Sequence, residues 1–320
     1  MIRFAQIEPT TRCNFTCGFC VGRHMPQRDL AWDDFQAFLH AHPDLRHVEL
    51  QGEGEPLLHP RFFDMVAACR ARGILVSLIS NGSLLSDEMI DRLLAADLRS
   101  IHISLESADP ARFQQIRGGK FAKVEAGLRA LALRRDELGL VHPNIGLAVT
   151  VLRDTIDDIH AIYRFYHQLG LDGGIAVQQL QGMPAYARSY APTMAAQQLG
   201  DEMTPRFNAM RQALAQGAPV RTAEGFFYFA LFAGFDPARQ TCPWLERGAY
   251  LASDGRVTGC CFMKDEASAF GHIRADSPQS VAARRHALIA EMEAGKVPAD
   301  CAGCPTGHAV ARARSLSPAR

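Results

Sequence analysis

The sequence lacks the long apolar runs that mark membrane-spanning and exported proteins. No stretch of about 18 consecutive apolar residues, the length of a membrane-spanning helix, occurs in the chain. The N-terminal MIRFAQIEPTTRC also has no apolar core of the kind found in a signal peptide. We therefore expect neither a membrane span nor export, and we expect a location in the cytoplasm.

An excess of charge of one sign is also missing. Lys and Arg together number 34, and Asp and Glu together also number 34. This balance gives no electrostatic reason to expect binding to nucleic acid or to an anionic membrane. Hydrophobic residues make up 48% of the 320 residues, so the chain has the composition of an ordinary globular protein with a sizeable core.

Cysteine is present in number, but its first cluster lacks a fourth member. Residues 13–20 read CNFTCGFC and supply Cys13, Cys17 and Cys20, with no further cysteine before Cys69. The chain has nine cysteines. An odd number in a reducing compartment favours metal ligands or reactive thiols over a framework of disulfides.

Short apolar segments alternate with longer helical patterns along the first 180 residues. The predicted strands are Phe4–Ile7, His47–Leu50, Ile74–Ile79, Ser100–Ser104, Ile145–Leu152 and Ile175–Gln178. The predicted helices between them are Trp32–His40, Pro60–Ala71, Ser86–Ala95, Lys120–Leu138 and Ile156–Leu169. Helical crossovers give a parallel sheet, and six units are too few to close an eight-stranded barrel. The fold class is therefore α/β, and we expect a partial TIM-like (β/α)6 barrel over residues 1–180.

Polar or cysteine-containing loops follow the first four predicted strands. They are CNFTCGFC after the first, GEGEP (52–56) after the second, SNG (80–82) after the third and SLES (104–107) at the end of the fourth. In open parallel sheets, chemistry collects at the carboxyl ends of the strands. All four segments should therefore face one rim of the barrel.

The βα alternation stops after residue 180. Residues 181–240 are predicted to form a linker with a helix near Gln197–Gln216 and an aromatic block, FFYFALFAGF (226–235), for which buried packing is favoured over a substrate-stacking role. Residues 241–320 are predicted to form a small second domain. That domain should contain a hairpin in AYLASDGRVTGCC with an Asp254-Gly255 turn, a helix near Gln279–Gly295, and a frayed tail.

Three thiolates without a fourth suit a metal assembly that keeps one position open. A structural zinc site closes with four protein ligands, whereas a four-iron cluster held by three cysteines leaves one iron free. The zinc alternative would need a more distant ligand, such as His24. The missing fourth ligand is thus interpreted as the functional feature.

The N-terminal cysteines and the loop after the second strand resemble those of radical S-adenosylmethionine (SAM) enzymes. Cys13, Cys17 and Cys20 match the signature C-x3-C-x2-C, and Phe19 supplies an aromatic residue before the last cysteine. The GGEP loop of the family is matched by Gly54, Glu55 and Pro56, with Glu53 in place of its first glycine. The resemblance implies a 4Fe–4S cluster that binds SAM at its open iron and generates a 5′-deoxyadenosyl radical.

The same resemblance suggests further SAM-binding residues. Those expected to hold the SAM amino, carboxylate and ribose groups, together with the aromatic residue of the signature, are Phe19, Gly54, Glu55, Pro56, Ser80, Asn81, Ser104, Glu106 and Arg117. A guanidinium suits bidentate pairing with a carboxylate, whereas a turn-forming role explains the Ser and Asn residues equally well. Val149 and Leu180 are expected to flank the adenine, with core packing as the alternative.

The C-terminal cysteines resemble those of a twitch domain, the shortened form of the SPASM domain. Cys242, Cys260, Cys301 and Cys304 would supply four thiolates to an auxiliary 4Fe–4S cluster. Closed ligation by four cysteines suggests a cluster that passes electrons rather than one that binds substrate. A zinc site is the alternative for these four residues.

Two cysteines remain outside these sets. Cys69, in MVAACRAR, is expected to be a small core residue. Cys261 follows a predicted ligand directly, and three roles are open to it: a spare ligand, a packing thiol or a catalytic donor of a hydrogen atom.

The reaction expected from the resemblance is hydrogen abstraction followed by oxidation of a small polar substrate such as a sugar or aminocyclitol. The alternatives are epimerisation with Cys261 as hydrogen donor and modification of a ribosomal peptide. A non-catalytic Fe–S or zinc protein is the alternative outside the enzymes. The expected partners are a small-molecule or peptide substrate and an electron donor such as flavodoxin or ferredoxin.

Overall fold

The computed structural model describes residues 1–217 and 227–316. Its first six strands are all parallel to their neighbours and follow one another in chain order across the sheet. They are β1 (Phe4–Ile7), β2 (His47–Leu50), β3 (Leu75–Ser80), β4 (Ser100–Ser104), β5 (Asn144–Val151) and β6 (Ile175–Gln179). The partial TIM-like barrel expected from the sequence is confirmed.

Six helices accompany these strands. They are α1 (Trp32–Ala41), α2 (Phe62–Arg70), α3 (Asp87–Ala95), α4 (Pro110–Arg117), α5 (Phe121–Glu137) and α6 (Ile159–Gln168). For five of these helices the sequence predicts the first residue to within three positions, whereas α4 was not predicted. Its start is marked by Asp109, whose side chain accepts a hydrogen bond from the Arg112 N–H, and by Pro110 in the first turn. Gly118 ends it in the left-handed conformation, at φ 73°.

Apolar strand residues pack against the helices to form one large core. The buried set includes Ile7, Val48, Val76 and Ile101 from neighbouring strands. Every position of β2 is buried, including the polar His47 and Glu49. A parallel sheet is covered on both faces. One face of each strand packs against the helices, and the other face lines the interior of the barrel. The polar β2 residues therefore lie inside the barrel, where water is excluded.

The described residues of the predicted linker include four α-helices. They are α7 (Pro184–Ala187), α8 (Pro192–Ala195), α9 (Thr204–Gly217) and α10 (Phe227–Leu231). The helix predicted at Gln197–Gln216 therefore begins later, at Thr204. In the aromatic block, Phe227 and Leu231 are fully buried, in agreement with a packing role. Phe226 and the side chain of Phe229 lie outside the described part of the chain.

The C-terminal segment extends the barrel sheet instead of forming a sheet of its own. It contains α11 (Pro243–Arg247), β7 (Gly248–Leu251), β8 (Arg256–Thr258), β9 (Gly271–His272), α12 (Pro278–Glu293) and α13 (Pro305–Leu316). Strand β7 pairs in parallel with β1, and β8 and β9 follow in antiparallel order. The predicted hairpin is confirmed, with Gly255 at φ 82° in its turn. The nine described strands form one sheet in the order β6-β5-β4-β3-β2-β1-β7-β8-β9.

The sequence predicts a solvated or frayed tail over AVARARSLSPAR (309–320), and this is wrong for residues 309–316, which lie in α13. Pro305 opens this helix, and the alanines that follow favour helical backbone. Val310 is fully buried in a second hydrophobic cluster with Trp244, Tyr250 and Met292. Packing against this cluster orders the helix. Within the described ranges, no helix is both long and apolar enough to cross a membrane.

Candidate functional site

A cavity of about 1460 Å³ opens at the carboxyl ends of the barrel strands. Both sets of clustered cysteines line it: Cys13, Cys17 and Cys20 on one side, and Cys242, Cys260, Cys261, Cys301 and Cys304 on the other. The loops after β2, β3 and β4 contribute further lining residues, as predicted from their positions in the sequence. The sheet and the C-terminal segment thus enclose one shared space.

Each N-terminal thiol is in contact with a different part of the barrel rim. Asn81, after β3, directs its Nδ2 toward Cys13 Sγ at 3.8 Å. Arg117, at the end of α4, directs its Nη1 toward Cys17 Sγ, also at 3.8 Å. Cys20 Sγ donates to the backbone oxygen of Glu53, after β2, at 3.4 Å. The rim therefore orients all three thiols toward the cavity.

Burial raises the pKa of all three N-terminal thiols above the usual value for cysteine. For Cys17 the value rises to about 11, because desolvation outweighs the nearby charge of Arg117. For Cys13 and Cys20 the direction is the same and desolvation is again the largest cause. Thiolate is the form that ligates iron, so metal binding at this site must displace protons.

Glu55 is held in a fixed orientation by the loop after β3. Its Oε1 accepts from Ser80 Oγ at 2.8 Å, and its Oε2 accepts from the Asn81 backbone N–H at 2.7 Å. Burial raises the pKa of this carboxyl group, while the hydrogen bonds from Asn81 and Ser80 act in the opposite direction. Three sequence-predicted residues are thus joined in one hydrogen-bonded group on the cavity wall.

Arg117 and Glu106 form a buried ion pair. Arg117 Nη2 donates to Glu106 Oε1 at 2.8 Å, and Arg117 Nε also donates to Glu106 Oε2. Burial alone would lower the pKa of Arg117, but the charge of Glu106 reverses that effect and raises it. Both residues line the cavity. The guanidinium predicted to hold a SAM carboxylate therefore already has a carboxylate partner within the protein.

The remaining predicted cofactor residues divide between the cavity and the core. Phe19, Gly54, Ser104, Val149 and Leu180 line the cavity, and Pro56 is buried beneath it in the first turn of a short 3-10 helix. Gly54 is required by packing, because a Cβ atom there would lie 2.3 Å from the Thr10 backbone oxygen.

The C-terminal thiols lie close to one another. Burial raises the pKa of Cys242 to about 12, and the charge of Cys304 adds to this effect. The pKa of Cys301 also rises to about 12, first through burial and then through Cys304 and Cys242. Cys260 has Cys242 and Cys304 among the groups that raise its pKa. Cys69 is distinct from them, since it is fully buried in α2 within the large core, as predicted.

Neither set of thiols converges on a single point. In the part of the chain that the structure describes, no group of three or more His, Cys, Asp or Glu side chains is gathered tightly enough for one metal ion. A zinc ion requires all its sulfur ligands within about 2.3 Å of one centre. A four-iron cluster places each thiolate on a different iron, so its ligands are spaced more widely. The described residues therefore offer no preassembled site for a single zinc ion.

A buried polar group that the sequence reasoning missed lies between the two sets of thiols. Glu53 Oε1 is 3.1 Å from Lys264 Nζ and accepts from Tyr186 Oη at 2.5 Å. Lys264 also lies 3.7 Å from Glu8 Oε1 and donates to Tyr250 Oη at 2.7 Å. Burial lowers the pKa of Lys264, but the charges of Glu53 and Glu8 raise it overall. The signal in the sequence that could have indicated this group is Glu53 itself, which stands where the GGEP loop of the family has its first glycine.

Cys261 lies on the cavity wall next to Tyr228. The thiol is buried and is hydrogen-bonded to the Tyr228 side chain. Tyr228 Oη in turn donates to Gln6 Oε1 at 2.6 Å. Cys261 therefore belongs to the second hydrophobic cluster and also lines the cavity.

Comparison with known protein families gives one match. Residues 7–166, half of the chain, match the family model for the Radical SAM superfamily. This segment begins in β1, ends in α6 and contains the three N-terminal cysteines.

Curated relatives cover more of the chain at moderate identity. A tungsten-containing aldehyde ferredoxin oxidoreductase cofactor-modifying protein of Pyrococcus furiosus is 27% identical over 81% of this chain and 71% of its own length. A GTP 3′,8-cyclase of Synechococcus elongatus is 34% identical over 55% of this chain and 62% of its own length. The chain thus spans less than two thirds of the cyclase.

Solved structures share the fold at low sequence identity. Streptococcus suis SuiB bound to S-adenosylmethionine superposes with a TM-score of 0.67 at 15% identity, covering 87% of this chain and 65% of SuiB. Native anSMEcpe with bound AdoMet gives a TM-score of 0.66 at 15% identity, covering 98% of this chain and 95% of the anSMEcpe chain. These similarities extend past the barrel into the C-terminal segment.

Proposed function

Because this chain belongs to the radical SAM superfamily, we propose that it abstracts a hydrogen atom from a substrate bound in the 1460 Å³ cavity and then oxidises that substrate. Cys13, Cys17 and Cys20 would hold a 4Fe–4S cluster, and Cys242, Cys260, Cys301 and Cys304 would hold an auxiliary one. The observation that carries the proposal is that both sets of thiols line one cavity.

When bound, the first cluster and SAM would supply the radical that takes the hydrogen atom, and the second cluster would accept the remaining electron. The proton that the substrate radical loses with that electron would pass out of the cavity to solvent. The protein's own part is to orient these groups and exclude water. The hydrogen-bonded group of Glu55, Ser80 and Asn81 offers fixed polar atoms on the SAM side. The Glu106–Arg117 pair presents a neutral surface beside Cys17, which suits the zwitterionic end of SAM.

The substrate expected from the sequence is a small polar molecule such as a sugar or aminocyclitol. The amide side chains Gln178, Gln181, Asn208 and Gln212 on the cavity wall support a substrate rich in hydrogen-bonding groups. The cavity is larger than the 300–1,000 Å³ or so that is typical of small-molecule sites, so it has room for SAM together with a sizeable substrate.

Epimerisation is a second candidate, and the position of Cys261 favours it. This buried thiol reaches the cavity wall next to Tyr228, so its S–H bond could return a hydrogen atom to a substrate radical. Oxidation remains our first proposal because four other thiols support an electron acceptor, whereas the donor role rests on one residue.

Iron analysis tests the cofactor assignment. Protein reconstituted without oxygen should hold about eight irons, because two separate sets of thiols each suit a four-iron cluster. A variant with Cys13, Cys17 and Cys20 all changed to Ala should hold about four. Cys69→Ala is the matched control, since that cysteine lies in the core, and it should keep all the iron. Zinc in the C-terminal site would contradict the auxiliary cluster.

A further inference from the structure

Strand β6 is the free edge of the sheet, and the whole strand faces the cavity. In the described residues it has β5 as its only strand neighbour. All five residues of the strand line the cavity. Gln178 is exposed, and its two neighbours are half-buried. The edge is therefore accessible from inside the functional site.

The direction of each backbone group on β6 follows from its pairing. The Gly174 oxygen accepts from the Leu147 N–H at 3.0 Å, and the Leu180 N–H donates to the Val151 oxygen at 3.3 Å. Successive residues of a strand direct their N–H and C=O groups to opposite sides. The backbone groups of the even-numbered residues therefore bond to β5. The N–H and C=O groups of the odd-numbered residues Ile175, Val177 and Gln179 point away from β5, to the outer edge of the sheet.

These outward groups are largely unpaired within the described ranges. The Gln179 oxygen accepts from the side-chain amide of Gln181 at 3.2 Å, and no other described backbone group bonds to this edge. Proteins usually cover or interrupt such edges, because an unpaired edge recruits another strand. Here the edge is kept inside a cavity, where another backbone can reach it only as a ligand.

Helix α9 lies next to β6 and lines the same groove. Asn208, Arg211, Gln212 and Ala215 recur at helical spacing and all line the cavity. The buried residues Phe207 and Leu214 anchor the same helix to the core. A groove with backbone donors and acceptors from β6 and amide side chains from α9 suits an extended polypeptide.

The charges around the cavity favour an acidic ligand. The lining carboxylates are already engaged: Glu106 with Arg117, Glu53 with Lys264, and Glu55 with hydroxyl and backbone donors. Arg211 is exposed, and its guanidinium lies 5.8 Å from the centre of the Phe207 ring; none of the salt bridges among the described residues includes it. Its charge on α9 is therefore not neutralised by a carboxylate of these residues, and it would attract the carboxylate of a ligand.

We propose that the substrate is a peptide with at least one acidic side chain, which docks in an extended conformation as an additional strand on the outer edge of β6. The proposal rests on the proposed hydrogen abstraction in this cavity. For the substrate class of the same site it chooses the peptide alternative of the sequence analysis in place of a sugar or aminocyclitol. Main-chain hydrogen bonds to Val177 would fix the register, and Arg211 would select the acidic side chain. The register would then set which carbon of the peptide faces the radical.

The test begins with selection of short random-sequence displayed peptides on the wild-type protein loaded with SAM, without reductant. The peptide that is enriched is then synthesised and its Kd is measured. Val177→Pro removes an outward N–H without removing a bond to β5, and it should weaken binding about tenfold. Val177→Ala, which keeps the N–H, is the matched control and should bind as the wild type does. Equal binding to all three would overturn the proposal.

Modification of the peptide gives an independent result that does not depend on how a variant folds. Single N-methyl groups placed along the peptide should weaken binding at every second residue only, because alternate residues of a strand face its partner. Uniform tolerance, uniform loss or failure to enrich any peptide would refute strand addition. Arg211→Ala should weaken binding of the acidic peptide but not of its Asp-to-Asn or Glu-to-Gln counterpart, and equal weakening of both would contradict the charge assignment.

The measurement of peptide binding distinguishes a failure of this proposal from a failure of the proposed function. Peptide binding needs no electron, so it can be seen even if the protein performs no radical chemistry. Formation of 5′-deoxyadenosine by reduced wild-type protein without peptide tests that chemistry alone. SAM cleavage without any peptide binding would refute only the peptide docking, and binding without cleavage would refute only the radical function.

Discussion

Replacing Glu49 by Gln should change how the stability of the protein depends on pH. Glu49 lies in β2 between Gln6 of β1 and Ser77 of β3, and it is fully buried. Neither of its carboxyl oxygens has a hydrogen-bond partner in the part of the chain that is described. Burial raises its pKa from 4.5 to about 8, so the folded protein holds this group neutral at pH 7.

The sign follows from the difference between the folded and unfolded states. Between the unfolded pKa of 4.5 and the folded pKa of about 8, the folded protein holds a proton that the unfolded chain releases. The stability that this group contributes is complete below the lower value and is lost as the pH rises through the window. Each pH unit within it costs about 1.4 kcal/mol, so the loss reaches roughly 3 kcal/mol at pH 7.

Urea unfolding followed by fluorescence between about pH 5 and pH 8 measures this effect. The free energy of unfolding of the wild type should fall relative to that of Glu49→Gln by about 1.4 kcal/mol per pH unit. Glu125→Gln, at a half-exposed position on α5, is the control and should run parallel to the wild type. Parallel curves for Glu49→Gln and the wild type would show that Glu49 is ionised in the folded protein and would refute the reasoning.

Three further predictions concern the cavity. Cys301→Ala should still form 5′-deoxyadenosine when reduced with SAM but should fall at least about a hundredfold in substrate turnover, because it removes one ligand of the proposed electron acceptor; undiminished turnover would argue against that role. Gly54→Ala should lower the free energy of unfolding by about 1–3 kcal/mol in urea, because its methyl group would meet the Thr10 oxygen, and an unchanged midpoint would contradict the contact. Cys261→Ser should keep most of its activity if the reaction is oxidation; an inactive variant, together with deuterium transfer from deuterated water to the wild-type product, would favour epimerisation.

Local signals in the sequence predicted the barrel well. Strands such as His47–Leu50 and Ser100–Ser104 were predicted at their observed bounds, because buried parallel strands are short apolar runs flanked by helices. Helix α4 was missed because PARFQQIR has few apolar residues, although Asp109 and Gly118 mark its two ends. The pairing of β7 with β1 had no local signal at all, since strand partners distant in the chain leave no periodicity.

The candidate site was predicted where a motif marks it. The three N-terminal cysteines and Glu55 lie together on the cavity wall, as their positions after successive strands indicated. The contact of Glu53 with Lys264 was not predictable, because it joins residues on opposite sides of the chain's linker. The burial of Glu49 was also not predicted. The segment HVEL alternates polar and apolar residues, which is equally typical of a strand whose polar face is exposed to water.

The pairing of β1 with β7 has a consequence for how the chain is synthesised and folded. Phe4 lies opposite Gly248, so β1 leaves the ribosome long before its second neighbour, β7, is synthesised. Contacts between such distant segments form slowly, and an unpaired edge in the meantime invites association with other chains. Chains terminated before β7 should therefore aggregate rather than accumulate as free barrels. The C-terminal segment therefore has two roles: its strand β7 covers the exposed edge of β1 in the newly made protein, and its cysteines line the cavity.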